Sequence, residues 1–134
     1  MTKLTDEMKT ILKKMRFISL ATASKDGTPN VVPIGMLIPQ PDDETIWIVD
    51  NYMDKTISNL RSNPKASFFI WDLEFPNSYQ IKGNVIIEDS GADYEKAVKY
   101  AHEKKETYPA KNLLKVKITD IYYVTPGPKA GQRF

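Results

Sequence analysis

The stretch of this chain best equipped for chemistry is Asp50-Asn51-Tyr52-Met53-Asp54-Lys55-Thr56. It falls where a strand gives way to a short helix starting near Asp54. Free backbone amides at a helix N-terminus, a lysine ammonium and a threonine hydroxyl together suit a phosphate monoester. The same residues also read as a plain cap, with Asp54 closing the helix end and Lys55 solvated in its first turn. Caps are far commoner than sites, so local sequence alone favours the cap. A second stretch, Pro33-Ile34-Gly35, interrupts a run of strand-forming residues. Proline and glycine there leave backbone atoms accessible to a flat heterocycle with a donor–acceptor edge, or they mark a simple bulge.

Other chemistries are poorly supplied. The chain has no cysteine, which removes disulfides, thiolate catalysis and thiolate-held metals. Its one histidine, His102, sits among Lys and Glu on a predicted helix and reads as solvated. A zinc site or a Ser-His-Asp hydrolase is therefore disfavoured. Neither G-x-x-x-x-G-K-[ST] nor G-x-G-x-x-G occurs, which argues against the familiar nucleotide loops. Asp42-Asp43-Glu44 is read as a solvated loop, because three consecutive acids in a turn rarely converge on one ion. No metal and no catalytic side chain is expected. Chemistry performed here needs a cofactor.

The 134 residues suffice for one domain, 1–134. With 41% hydrophobic and 27% charged residues the composition is that of a globular protein. A formal charge of +2 is too small to argue for nucleic acid. No apolar leader or membrane-length run is read, so a cytoplasmic location without membrane contact is expected.

Periodicity supplies the elements that must hold the candidate residues. Leu4, Met8, Ile11, Leu12 and Met15 recur at helical spacing. Phe17–Ala23 and Asn30–Ile38 read as a hairpin around Asp26-Gly27, a strong turn signal. Pro33 inside the return strand predicts an edge position or a bulge. Thr45–Asp50, Ala66–Trp71, Tyr79–Glu88 and Leu113–Thr125 read as further strands, and Ala92–Lys105 as a helix. Trp47 and Trp71 are assigned to core or dimer contacts, and Tyr122 and Tyr123 to opposite faces of the last strand. Consecutive strands with tight turns predict a mostly β fold, a six-stranded antiparallel barrel with helical additions.

The run from Phe17 through Asp26-Gly27-Thr28-Pro29 to Pro33-Ile34-Gly35 resembles the opening hairpin of the pyridoxamine 5'-phosphate oxidase-like, FMN-binding split-barrel family. The likeness continues through Ile46-Trp-Ile-Val-Asp, Lys55-Thr-Ile-Ser-Asn-Leu-Arg-Ser-Asn-Pro and Tyr79-Gln-Ile-Lys-Gly, with that family's habitual glycine at Gly83. The order and spacing of these segments carry the resemblance, since none is diagnostic alone.

The resemblance implies a split barrel of the FMN-binding type that forms a homodimer, with FMN at the subunit interface. It would place Lys55 and Thr56 on the flavin phosphate, and so reverses the preference for a plain cap. Pro33, Ile34 and Gly35 would line the isoalloxazine edge, and Val49, Asp50 and Asn51 the ring and ribityl chain. Gln80 and Lys82 are secondary candidates. The tail from Gly127 to Phe134, or Tyr108, would cover the partner's flavin. Many relatives carry Thr or Ser near the position of Asp50, and no basic substrate-phosphate cluster is evident, so vitamin B6 oxidation is not implied.

The function expected on this basis is an oxidoreductase passing hydride or electrons through FMN, with a small-molecule or protein electron donor or acceptor. The alternatives are a non-enzymatic flavin-binding or electron-transfer module, or the deazaflavin F420 on the same fold. A haem axial ligand is disfavoured by the setting of His102. A barrel without any cofactor is the plainest competitor.

Overall fold

Residues 2–134 are described by a computed structural model. The chain opens with α1 (Asp6–Lys14), whose N-cap Thr5 accepts a hydrogen bond from the Met8 amide at 3.2 Å. Its Met8, Ile11 and Leu12 are buried, as their spacing predicts. Strands β1 (Ile18–Ala23), β2 (Pro29–Ile34), β3 (Leu37–Pro39) and β4 (Thr45–Asp50) follow. Next come α2 (Lys55–Ser62), β5 (Lys65–Ile70), β6 (Tyr79–Glu88), α3 (Ala92–Lys104) and β7 (Asn112–Tyr123).

All strands join one antiparallel sheet in the order β2-β1-β5-β6-β7-β4-β3. Strands β2 and β3 therefore occupy opposite edges, yet only Gly35 and Met36 separate them in sequence. Two residues cannot span a flat seven-stranded sheet, since extended chain covers only about 3.5 Å per residue. The sheet must curl until its edges meet, and the seam between them is not bridged by a strand pairing. That is a split barrel.

The sheet has seven strands and not the expected six. The run read as one strand from Asn30 to Ile38 is two, β2 and β3. Pro33 has no amide to donate, so it suits a strand edge, and the Gly35-Met36 corner then redirects the chain to the opposite edge.

The barrel is filled by Leu20, Ile46, Ile48, Ile70, Tyr79, Ile81, Leu114 and Ile121, with α1 over one opening. A smaller apolar cluster joins α3 to β4 and β7 through Val49, Ala97, Ala101, Ala110 and Leu113. At Lys82/Gly83 the β6–β7 register slips, leaving Thr119 as the extra residue. Beyond Pro126 the chain folds back along β7. Gly131 donates to the Tyr123 carbonyl and Phe134 to that of Ile121, each at 2.8 Å. The Phe134 ring then meets Tyr79 edge-on at 5.6 Å.

Among the described residues no helix is long and apolar enough to cross a membrane, and no three or more His, Cys, Asp or Glu gather as a metal site would need.

Candidate functional site

The seam of the barrel is flanked by two grooves that share Ile34 and Gly35 as a common wall. One, of about 650 Å³, runs under α1. The other, of about 720 Å³, collects most of the residues singled out in the sequence. Both lie within the range usual for ligand sites, so size alone does not choose between them.

The second groove has three walls. Pro33, Ile34, Gly35 and Met36 form the first, where β2 breaks. An added Cβ on Gly35 would find only the Arg16 carbonyl, at 3.8 Å, so a planar ligand can approach this backbone closely. The second wall is the β4–α2 connection with the first turn of α2: Asn51, Tyr52, Met53, Asp54, Lys55 and Thr56. The third comes from the end of α3 and the loop after it, with Tyr100, Lys104 and Tyr108. Tyr52 and Tyr108 meet edge-to-face at 6.4 Å across this end.

The first turn of α2 is open to an anion. Asp54 is the N-cap, but its side chain makes no capping bond, contrary to the plain-cap reading. Lys55 is exposed, and among the described residues its ammonium enters no ion pair. Thr56 is buried, and its hydroxyl oxygen accepts from the Asn30 side-chain amide at 3.1 Å. A hydroxyl that accepts this bond still has its own proton to donate. A smaller recess adjoins this end, lined by Ser24, Thr28, Asn30, Lys55 and Ser58. Beside it, hydrogen bonds from Ser24 and then from Thr28 hold the Asp26 carboxyl below the usual carboxylate range. That network closes the β1–β2 turn on itself.

Of the candidate residues, Pro33, Ile34, Gly35, Asn51, Lys55 and Thr56 converge on the larger groove. Val49 and Asp50 do not line it. Val49 is buried in the α3 cluster, and the Asp50 carboxylate is turned into the protein to meet Met53 and Asn112. Asn51 uses its side-chain oxygen to accept from the Ala110 amide at 3.0 Å. Gln80 and Lys82 lie on β6, away from the groove, with Lys82 set over the Tyr122 ring. The tail packs on its own barrel, and no residue from 127 to 134 lines the groove, whereas Tyr108 does so within its own chain.

Tyr100 and Lys104 were not anticipated from sequence. Their signal was present as an i, i+4 pair on α3, beside the buried Ala97 and Ala101. Periodicity finds buried faces and says little about what a polar face overlooks.

Residues 4–125 match the sequence pattern of the family described as pyridoxamine 5'-phosphate oxidase. The uncharacterized protein MJ0282 of Methanocaldococcus jannaschii is 33% identical over 131 residues, 97% of this chain and 87% of that protein. HupZ of Group A Streptococcus superposes with a TM-score of 0.80 at 28% identity, covering 96% of this chain and 99% of the other. An FMN-binding protein from Syntrophomonas wolfei shares the fold with a TM-score of 0.69 at 23% identity, over 88% and 83% of the two chains.

Proposed function

The chain belongs to the pyridoxamine 5'-phosphate oxidase family, and from that premise we propose that it is a flavoprotein holding FMN non-covalently in the larger seam groove, and acting as an oxidoreductase. The observation that carries this reading is the groove itself. One continuous surface joins an accessible backbone edge at Pro33–Gly35 to an uncapped helix start bearing Lys55 and Thr56. A flat ring with a phosphate tail needs those two features at its two ends.

Lys55 and the first-turn amides of α2 would bind the phosphate dianion, with the Thr56 hydroxyl donating to it. Backbone groups of Pro33, Ile34 and Gly35 would bind the ring edge and fix its orientation. FMN itself supplies hydride and electron transfer, which no side chain here offers. Tyr52, Tyr100 and Tyr108 would shield the open side from water. Lys104 adds a second cation there, suited to an anionic electron donor or acceptor.

The proposal includes a homodimer in which a second copy completes the site. Val31, Phe69, Trp71 and Leu73 are all exposed on or beside the β2-β1-β5 part of the sheet. Apolar groups concentrated on one side of a small barrel suit an isologous interface.

The test is absorbance of the purified protein in the near-ultraviolet and visible, repeated after adding FMN and desalting. Twin flavin bands that remain with the protein, and that weaken in Lys55→Ala, are expected. A colourless protein that retains no FMN overturns the proposal. Where flavin binds but is not turned over with NADH, NADPH or redox dyes, while electrons still pass to a protein partner, the oxidoreductase reading gives way to an electron-transfer module.

A further inference from the structure

Asp50 and Asn112 face one another on the last rung of the β4–β7 pairing. Beyond that rung β4 runs on into the loop that starts α2, and β7 is entered from the loop that follows α3. Asp50 is 0% exposed, yet among the described residues no lysine, arginine or histidine pairs with it. A buried carboxylate without a cation is costly unless hydrogen bonds saturate it. Neutral donors serve both oxygens here. Oδ1 accepts from the Met53 amide at 2.9 Å and Oδ2 from the Asn112 side-chain amide at 2.8 Å. The Asp50 carbonyl takes the Lys111 amide at 2.8 Å, and the Lys111 ammonium reaches the Met53 carbonyl at 3.3 Å. The turn from Asp50 to Met53 is thus held from inside and from behind, immediately before Asp54 and Lys55.

We infer that Asp50 is a positioning residue for the phosphate end of the groove. It acts through the Met53 backbone to aim the first turn of α2, and touches no ligand itself. The inference rests on the flavin reading above and adds to it the reason an acid is tolerated near an anion site. Its oxygens are occupied and turned inward, so the acid serves the loop and leaves the cations facing the groove.

The test compares FMN with riboflavin, which differ only in the phosphate, by calorimetric titration of the wild-type chain, Asp50→Asn, Asn112→Asp and the double exchange. In Asp50→Asn the FMN-to-riboflavin affinity ratio is expected to fall about tenfold, with riboflavin affinity kept within about twofold. The double exchange again sets one amide against one carboxylate across the rung. It is expected to restore the ratio to within about threefold. A ratio unchanged in Asp50→Asn, or equal weakening of both ligands, overturns the inference and leaves Asp50 a structural rung. Should the variants not fold, hydrogen exchange of the wild-type Met53 amide decides. Protection that rises with FMN supports the inference, and exchange at the rate of an open loop overturns it. A wild-type chain that binds neither flavin removes the proposed function and this inference together. One that binds both, with no change of ratio in Asp50→Asn, removes the inference alone.

Discussion

The side-chain amide of Asn30 donates to the Thr56 hydroxyl oxygen at 3.1 Å, linking β2 to the first turn of α2. The same nitrogen reaches the Thr22 hydroxyl at 3.2 Å, to which Asn59 also donates at 3.1 Å. One asparagine thereby holds the hairpin against the helix that carries Lys55. Asn30→Ala is expected to destabilise the fold by about 1–3 kcal/mol, because two partly buried bonds are lost. It should also weaken FMN, since the Thr56 hydroxyl is no longer held. Urea unfolding and a flavin titration on the same preparation check both parts. Full stability together with full affinity would show the amide to be incidental.

Gly83 is fixed by close approach, at the register slip between β6 and β7. A Cβ added there would lie 2.6 Å from Val116 Cγ1 and 2.7 Å from the Lys117 carbonyl oxygen. The second of these is backbone and cannot swing aside. Gly83→Ala is expected to cost about 1–3 kcal/mol, as overpacking of a closed site does. The check is the denaturant midpoint, with the slope unchanged if the native state stays compact.

Much of this architecture was legible in the residues, and the gaps have physical causes. The Tyr79–Glu88 strand has the bounds read from sequence, because alternation over ten residues leaves little freedom of register. Helix α3 ends one residue earlier than read, at Lys104. The strand count was missed because Val32, Ile34, Leu37 and Ile38 look continuous, while the corner at Gly35-Met36 is dictated by barrel closure. The segment from Asp50 to Thr56 stands out in the sequence because strand end, helix start and charged residue coincide locally, and all of it but Asp50 lines the groove. The inward turn of Asp50 was not legible, since its partner Asn112 is far along the chain. Tyr100 and Lys104 were missed for the same reason. Their role depends on where α3 docks, which no local pattern states.

Tyr79 supplies a pH dependence. Its hydroxyl donates to Glu7 at 3.1 Å beneath α1, and its ring is buried. Burial first, then Glu7, pushes its pKa from 10.0 to about 12. The folded value exceeds the unfolded one, so its contribution is complete below pH 10 and is lost as the pH rises toward 12. The loss should be on the order of 2 kcal/mol. Tyr79→Phe keeps the ring but has no proton to lose, so its stability should fall less steeply over that interval. Parallel curves for the two proteins, from urea unfolding at stepped alkaline pH, would exclude a part for this hydroxyl.

The proposed dimer makes a prediction that joins assembly to the site. Trp71 is 47% exposed and Leu73 89%, just beyond the end of β5, with Phe69 exposed on the strand itself. Water-facing side chains of this size contribute little to a monomer, so replacing one with a charge should spare the fold. Across an isologous interface the same charge enters twice and must be desolvated on both sides. Phe69→Asp is therefore expected to shift the scattering mass at micromolar concentration from two chains to one, with the far-ultraviolet circular dichroism of the folded chain retained and the melting temperature lowered by the loss of the partner. If the second copy completes the flavin groove, retained FMN should fall in step with the dimer fraction. A monomeric variant that holds FMN as tightly as the wild type would place the whole site within one chain. A wild-type protein already monomeric under those conditions would remove the shared site at once, while leaving the groove at Lys55 and Gly35 to be judged on flavin binding alone.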